Sequence, residues 1–257
     1  MNTMENVIFD INHIYKIYGE MNDEPIIAVN DVSLKISKGD FLSIMGRSGS
    51  GKSTLINCIS TIDRPSKGNI IINGKNVLDM HDDEISEFRR DQLGFIFQNF
   101  NLLESLTIFE NICLPLSFNY EKGTGKDIKK NMIENIAEEL YIRNILNKYP
   151  SECSGGQRQR TAIAIALVSN PSILIADEPT GNLDSKNSKE LMNVLQRLNK
   201  ENGITVIVVT HDPLIASYSS RMLYIEDGKI KNTINRNEKN QKEFYNTIMK
   251  FNEQQEI

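Results

Sequence analysis

The rhythm of apolar and polar positions changes along this chain and predicts most of its elements. From Val7 to Ile17 the two kinds alternate in places, and they do so again over Ala28 to Ile36 with Val29, Val32, Leu34 and Ile36, the period of strands with one buried face. These two segments are expected to pair in an antiparallel sheet, joined by an acidic loop around Met21 to Pro25. Phe41-Leu42-Ser43-Ile44-Met45, Ile173-Leu174-Ile175-Ala176 and Thr205-Val206-Ile207-Val208-Val209 are instead short and almost continuously apolar, the pattern of buried strands. A strand Asn69 to Asn73 follows the turn Pro65-Ser66-Lys67-Gly68, and Gly94-Phe95-Ile96-Phe97-Gln98 is a short strand ending in a lone amide. Leu55 to Ser60, Thr161 to Val168 and Ser188 to Leu198 read as helices. Between Asn99 and about Tyr149 the character shifts. Ile128, Met132, Ile136, Leu140 and Tyr141 recur at helical spacing after a loop Asn119 to Gly125, which predicts an inserted helical subdomain whose apolar stripe is core. In the tail, Asn235 to Ile257, a charged stretch precedes Phe244, Ile248 and Phe251 on one helical face. That helix is expected to pack on its own domain, in preference to a second subunit or a permease.

Composition narrows the class. The 257 residues are 39% hydrophobic and 25% charged, enough for a sizeable core. A net charge of -5 gives no footprint for nucleic acid. Cys58, Cys113 and Cys153 are odd in number and lack CxxC spacing, which argues against a disulfide framework or zinc site and for a reducing, cytosolic compartment. The start, Met1 to Asp10, carries acids and no basic, apolar leader, so no secretory signal is expected. The longest apolar runs, such as Ala162 to Val168, fall far short of the ~20 residues that cross a bilayer. A role in transport would therefore need another polypeptide for the pathway.

The candidate chemistry centres on Gly46-Arg47-Ser48-Gly49-Ser50-Gly51-Lys52-Ser53-Thr54, which fits G-x-x-x-x-G-K-[ST] between a strand and a helix. In such a phosphate loop the glycines let the backbone wrap an anion, and N–H groups at the helix start point at the phosphates. Lys52 supplies charge to the β- and γ-phosphates, and the Ser53 hydroxyl is placed to ligate Mg2+. A second helix start, Ser154-Gly155-Gly156-Gln157, has the small polar residues of an anion site. The strand Ile173 to Ala176 ends abruptly in Asp177 and Glu178, acids that are costly there unless they meet a cation or a reacting water. Asp177 fits a ligand of Mg2+, and Glu178 a base that polarises the attacking water. His211 arrives at the carboxyl end of another strand, where ligands bind in open α/β sheets.

Together these residues resemble the ATPase subunit of an ABC transporter, over residues 7 to about 232. The resemblance implies an α/β fold with a P-loop NTPase core, an antiparallel β subdomain and an α-helical subdomain inserted at about 99–165, the nucleotide-binding domain running over 1–235 and the tail over 236–257. It implies that Tyr18 stacks on adenine and that Gly46 to Thr54 hold the phosphates of ATP. Gln98 would sense Mg2+ and the attacking water, and Ser154, Gly155, Gly156 and Gln157 would be the family signature. Asp177 and Glu178 would form the Walker B pair, Asp184 the loop at a dimer contact, and His211 a switch on the γ-phosphate. Two subunits would pair head to tail, Lys52 of one facing Ser154 of the other. A transmembrane permease would dock near Gln98 to Leu106, holding the chain at the cytoplasmic face of the membrane. Cys153 stands where the signature begins with leucine, and Arg47 where relatives often have proline. Gly181 to Asp184 and Phe97 to Leu103 resemble the group that works with mechanotransmitting permeases, including lipoprotein-release and macrolide-export ATPases, and within it Asn57 to Asp63 and Thr210 to Tyr218 are most similar to the bacitracin-resistance type, which removes or senses cell-wall-directed antimicrobial peptides and whose permease often signals to a histidine kinase. Lipoprotein release or macrolide export is the first alternative. A soluble ABC ATPase acting on DNA or ribosomes would carry two cassettes or a long coiled coil, and a kinase sharing only the phosphate loop would lack Ser154-Gly155-Gly156-Gln157.

Overall fold

Continuous apolar runs need cover on both faces, and a computed structural model describing residues 6–19, 24–117 and 126–255 shows how they obtain it. The loop expected at Asn119 to Gly125 and most of that around Met21 to Pro25 lie outside the described residues. In chain order the elements are β1 (Val7–Tyr18), β2 (Ile26–Ser37), β3 (Phe41–Met45), α1 (Lys52–Ile59), β4 (Lys67–Ile72), β5 (Lys75–Asn76), α2 (Asp82–Gln92) and β6 (Leu93–Ile96). There follow α3 (Ile108–Ser117), α4 (Lys126–Glu139), α5 (Gly155–Leu167), β7 (Ile173–Asp177), α6 (Ser185–Asn202), β8 (Thr205–Val209), α7 (Pro213–Ala216), β9 (Arg221–Glu226), β10 (Lys229–Asn235) and α8 (Gln241–Gln255).

One sheet is antiparallel, in the order β2-β1-β4-β5; the other runs β10-β9-β3-β8-β7-β6. In the second, β9, β3, β8, β7 and β6 are parallel and β10 pairs antiparallel at one edge. Alternate side chains of the parallel strands point to opposite faces. Leu174, Ala176, Val206 and Val208 join α5, α6 and the inserted helices in one core. Ile173, Ile175, Ile207 and Val209 join Leu55, Ile56 and Ile59 of α1 and the antiparallel sheet in the other. The helix α1 therefore lies buried between two sheets. Register sets the rim: Asp177 lies opposite Val209, Val209 opposite Ile44, and Ala176 opposite Ile96. The residues after these four strands consequently emerge side by side at the carboxyl edge of the sheet.

Several elements depart from the sequence reading. The helix expected from Ser188 begins at Ser185, because Asp184 caps it by accepting from Asn187 N at 2.8 Å. In the helical insertion, Ile133, Ala137 and Leu140 form the buried face, while Ile128 is 53% and Tyr141 80% exposed. Tyr141 stands two residues beyond the last residue of α4, Glu139, with a left-handed φ of 56°, which takes it off the helical wheel. Helix α8 buries Phe244 and Ile248 with Met45, Ala216, Met222 and Tyr224, as expected of a tail that packs on its own domain. Among the described residues, no helix is long and apolar enough to cross a membrane.

Candidate active site

The backbone of Gly46 to Thr54 is forced into its path by its neighbours. A Cβ at Gly51, which has φ 97°, would come within 2.1 Å of the Ala28 carbonyl oxygen, and one at Gly46 within 2.1 Å of that of Ile225. Only glycine allows both approaches. Ser48, Gly49, Gly51, Lys52, Ser53 and Thr54 line a cavity of about 590 Å3 with Ala28, Gln98, Asp177, Glu178 and His211. Four segments that follow parallel strands thus meet at one rim, as the strand register requires, and Ala28 of the antiparallel sheet closes one side.

Lys52 is 8% exposed, and its Nζ donates to the carbonyls of Gly46 at 2.9 Å and Arg47 at 2.8 Å. Burial lowers its pKa, opposed by the nearby carboxylates of Glu178 and Asp177. Asp177 shifts upward, chiefly by burial, with the Ser53 hydroxyl pulling the other way. Its Oδ1 is buried without a hydrogen-bond partner, and such an atom calls for a cation. Among the described residues no cluster of three His, Cys, Asp or Glu side chains could hold a metal by itself. Ser53 and Asp177 therefore suit Mg2+, which is usually held by one or two protein oxygens together with substrate phosphates and water.

Glu178 has a left-handed φ of 45°, strained for a residue with a Cβ. Its N–H donates to Val209 at 2.9 Å, its carbonyl accepts from Gly181 N at 3.1 Å, and its Oε1 lies 2.9 Å from His211 Nδ1. The carboxylate side chain is 18% exposed, whereas the His211 side chain is 74% exposed. Gln98 is anchored by its carbonyl, which accepts from Asn182 Nδ2 at 2.9 Å, and a Cβ on Gly181 would meet its Nε2 at 2.8 Å. Tyr18 is 40% exposed at the end of β1. Its hydroxyl donates to Asp63 Oδ2 at 2.9 Å, and Lys16 Nζ sits 5.0 Å from its ring centre while also bonding Asp63. Burial opposes the ionisation of Asp63, but hydrogen bonds from Lys16 and Tyr18 outweigh it and hold the carboxyl below the usual range. This Lys16–Asp63 support escaped the sequence reading, because nothing in the spacing of the two marks them as neighbours.

Ser154, Gly155, Gly156, Gln157 and Asp184 do not line that cavity. Ser154 caps α5 in a reciprocal box: its Oγ accepts from Gln157 N at 3.3 Å and its N–H donates to Gln157 Oε1 at 2.9 Å. A Cβ at Gly156 would fall 2.5 Å from Asn187 Oδ1, and Asn187 also donates to Asp184 Oδ2 at 2.8 Å, so the capped starts of α5 and α6 touch. Of the two helix starts, only that of α1 adjoins Glu178 in the cavity. Cys153, half-buried, packs against the helical core.

The ABC transporter family model matches residues 29–181, and a shorter stretch, 147–217, matches a model described as an AAA domain, putative AbiEii toxin, Type IV TA system. The chain is 48% identical over 247 residues to the ABC transporter ATP-binding protein YxdL of Bacillus subtilis, covering 96% of this chain and 93% of that one. It is 43% identical to the bacitracin export ATP-binding protein BceA of Halalkalibacterium halodurans, covering 95% and 94%. Among solved structures, dimeric MJ0796 of Methanocaldococcus jannaschii, a transporter cassette also solved in a post-hydrolysis state with ADP and Pi, superposes with a TM-score of 0.82 at 41% identity, over 88% of this chain and 98% of that one. With its phosphate loop, paired acids and histidine at one sheet edge, and with this likeness along nearly its whole length, the chain belongs to the ATP-hydrolysing, ATP-binding subunits of ABC transporters.

Proposed function

We propose that this subunit drives a separate transmembrane permease in resistance to, or sensing of, cell-wall-directed antimicrobial peptides, from the cytoplasmic face of the membrane. The observation that carries the chemistry is the single cavity lined by Lys52, Ser53, Gln98, Asp177, Glu178 and His211. Lys52 and the N–H groups of the loop bind the phosphates of ATP, and Tyr18 offers its open ring face to adenine. Ser53 and Asp177 would hold Mg2+, with Gln98 beside them, and the ion would supply neutralising charge at the phosphates. Glu178 takes the proton of the attacking water, and the His211 imidazole, bonded to Glu178 through Nδ1, presents its other nitrogen toward the γ-phosphate. Ser154 to Gln157 and Asp184 serve the partner subunit's nucleotide in a head-to-tail homodimer, which fits their place outside this chain's own cavity.

The peptide class rests on the likeness to a bacitracin export ATPase along almost the full chain. A histidine kinase would be reached only through the permease. The tagged chain, purified from membranes, should bring with it a permease bearing a large extracellular domain, and loss of the chain should sensitise cells to bacitracin. A ribosome or DNA as the stable partner would overturn the reading.

A further inference from the structure

Arg47 belongs to the phosphate loop by position, yet its side chain does not line the cavity. Its Nη2 donates to the main-chain carbonyl of Gln255, 208 residues further on, at 2.7 Å. Gln255 is the last residue of α8. The carbonyls of a helix's final turn have no partner within the helix and form the negative end of its dipole, and a guanidinium that never loses its charge suits them.

The main chain of the same residue faces the other way. The Arg47 carbonyl accepts from Lys52 Nζ at 2.8 Å and from Ser50 N at 3.2 Å. Helix α8 is itself fixed: Phe244 and Ile248 are fully buried, in contact with the cluster that holds Met45, the residue just before Gly46, and Phe251 stands edge-on to Tyr224 with ring centres 5.1 Å apart. The loop is thus held to the last helix twice, beneath through Met45 and at the side through Arg47.

We propose that Arg47 and the carboxyl end of α8 form a clamp that positions the phosphate loop, so that the affinity of this site for ATP depends on the chain's last helix. Arg47 is here a positioning residue, acting through its own carbonyl on Lys52. The proposal rests on Gly46 to Thr54 being the ATP site.

The test is the Kd for a non-hydrolysable ATP analogue with Mg2+, measured on the full chain, on Arg47→Met, on a chain lacking residues 252–257, and on both changes together. The truncation removes the Gln255 carbonyl and leaves Phe244, Ile248 and Phe251 in place. Each change should raise Kd by about 2- to 5-fold, the worth of a cation at a helix C-terminus. The double change should raise it no further than the larger single one, and Arg47→Lys should recover part of the loss. KM for ATP should rise with kcat retained, and the melting temperature of Arg47→Met should fall by no more than about 4 °C, the worth of one such contact, which a loss of general packing would exceed. Independent, multiplying effects would mean that Arg47 acts on the nucleotide directly, and equal Kd values throughout would mean that the contact does nothing; either overturns the clamp alone. A wild-type chain that binds no analogue would overturn the clamp and the site together.

Discussion

Glu178 is held by its strained φ, by main-chain bonds to Val209 and Gly181, and by His211, so its carboxylate has little freedom to be anywhere but beside Lys52 and Asp177. Glu178→Gln keeps the shape and removes the proton acceptor. Hydrolysis should fall by about 10^2- to 10^4-fold while ATP still binds, and the variant should dimerise stably with ATP; turnover within a few-fold of wild type would remove Glu178 from the role of base. At Tyr18, loss of the ring in Tyr18→Ala should weaken ATP binding by about 1–3 kcal/mol, the worth of stacking one base, whereas Tyr18→Phe should bind nearly as well. Equal affinity of all three would move adenine elsewhere. Cys58 tests the buried layer. Burial, with the Asp63 carboxylate adding to it and Lys16 opposing, pushes its thiol up to about 12. The unfolded thiol ionises near its ordinary value of about 8.5. The stability tied to the protonated thiol is therefore whole below that value and is lost as pH rises toward 12. At pH 8 a disulfide reagent should titrate equal numbers of fast thiols in folded wild type and Cys58→Ala, and one fewer in the variant would contradict this burial. At this scale the acids were legible in the sequence because two carboxylates closing an apolar strand demand a partner, and Lys52 because its motif is rigid in spacing. Lys16 and Asp63 were not, since a surface-like lysine and aspartate acquire meaning only when folding places them under Tyr18.

Among the elements, β3, β7 and β8 were readable because burial on both faces leaves them almost continuously apolar, and the register of β7 with β6 and β8 then brings Gln98, Asp177 and His211 together. The strands β9 and β10 went unread, and β10 explains why: KIKNTIN on the edge is mostly exposed, and pairing with β9, rather than its own pattern, makes it a strand. Helix α2 was missed for a related reason, since only Ile85 and Phe88 are buried in it. Its signals sat at the ends, with three acids in the first turn, two arginines in the last and Glu84 closing back on the His81 N–H at 3.1 Å. The tail helix was legible from Phe244, Ile248 and Phe251, and its partner was not, because Met45, Met222 and Tyr224 come from distant strands. A 15-residue helix is marginal alone in water, so that packing supplies its stability. Ile248→Ala should lower the unfolding free energy by about 2–5 kcal/mol through the cavity it leaves. A change below about 0.5 kcal/mol in denaturant titration, the range of surface substitutions, would mean that α8 is not packed as described.

For the whole molecule, the decisive feature is a separation: Lys52, Asp177 and Glu178 share one cavity, and Ser154 to Gln157 stand outside it at the capped start of α5. Periodicity within one chain could locate both features and could not say whether they act on the same phosphate, because that depends on the symmetry of an assembly. The proposed head-to-tail pairing by a two-fold axis would give each ATP the Lys52 of one subunit and the Ser154 of the other, and so would make a quantitative demand. Lys52→Ala subunits alone have no working phosphate loop, and Ser154→Ala subunits alone have no complete signature. In an equal mixture that re-pairs at random, half of the dimers join one of each kind. Such a dimer holds one site with both defects and one site with neither, so about a quarter of wild-type sites should return, and ATP hydrolysis with them if sites work singly. The measurement is ATPase activity of the two variants, apart and mixed, with gel filtration in ATP to verify that mixed dimers form. Recovery in proportion to the mixed dimers places Lys52 and Ser154 across a subunit boundary. Recovery of none, with mixed dimers present, would sink the independent two-subunit site, and activity in either variant alone would show that one chain completes its site without the other.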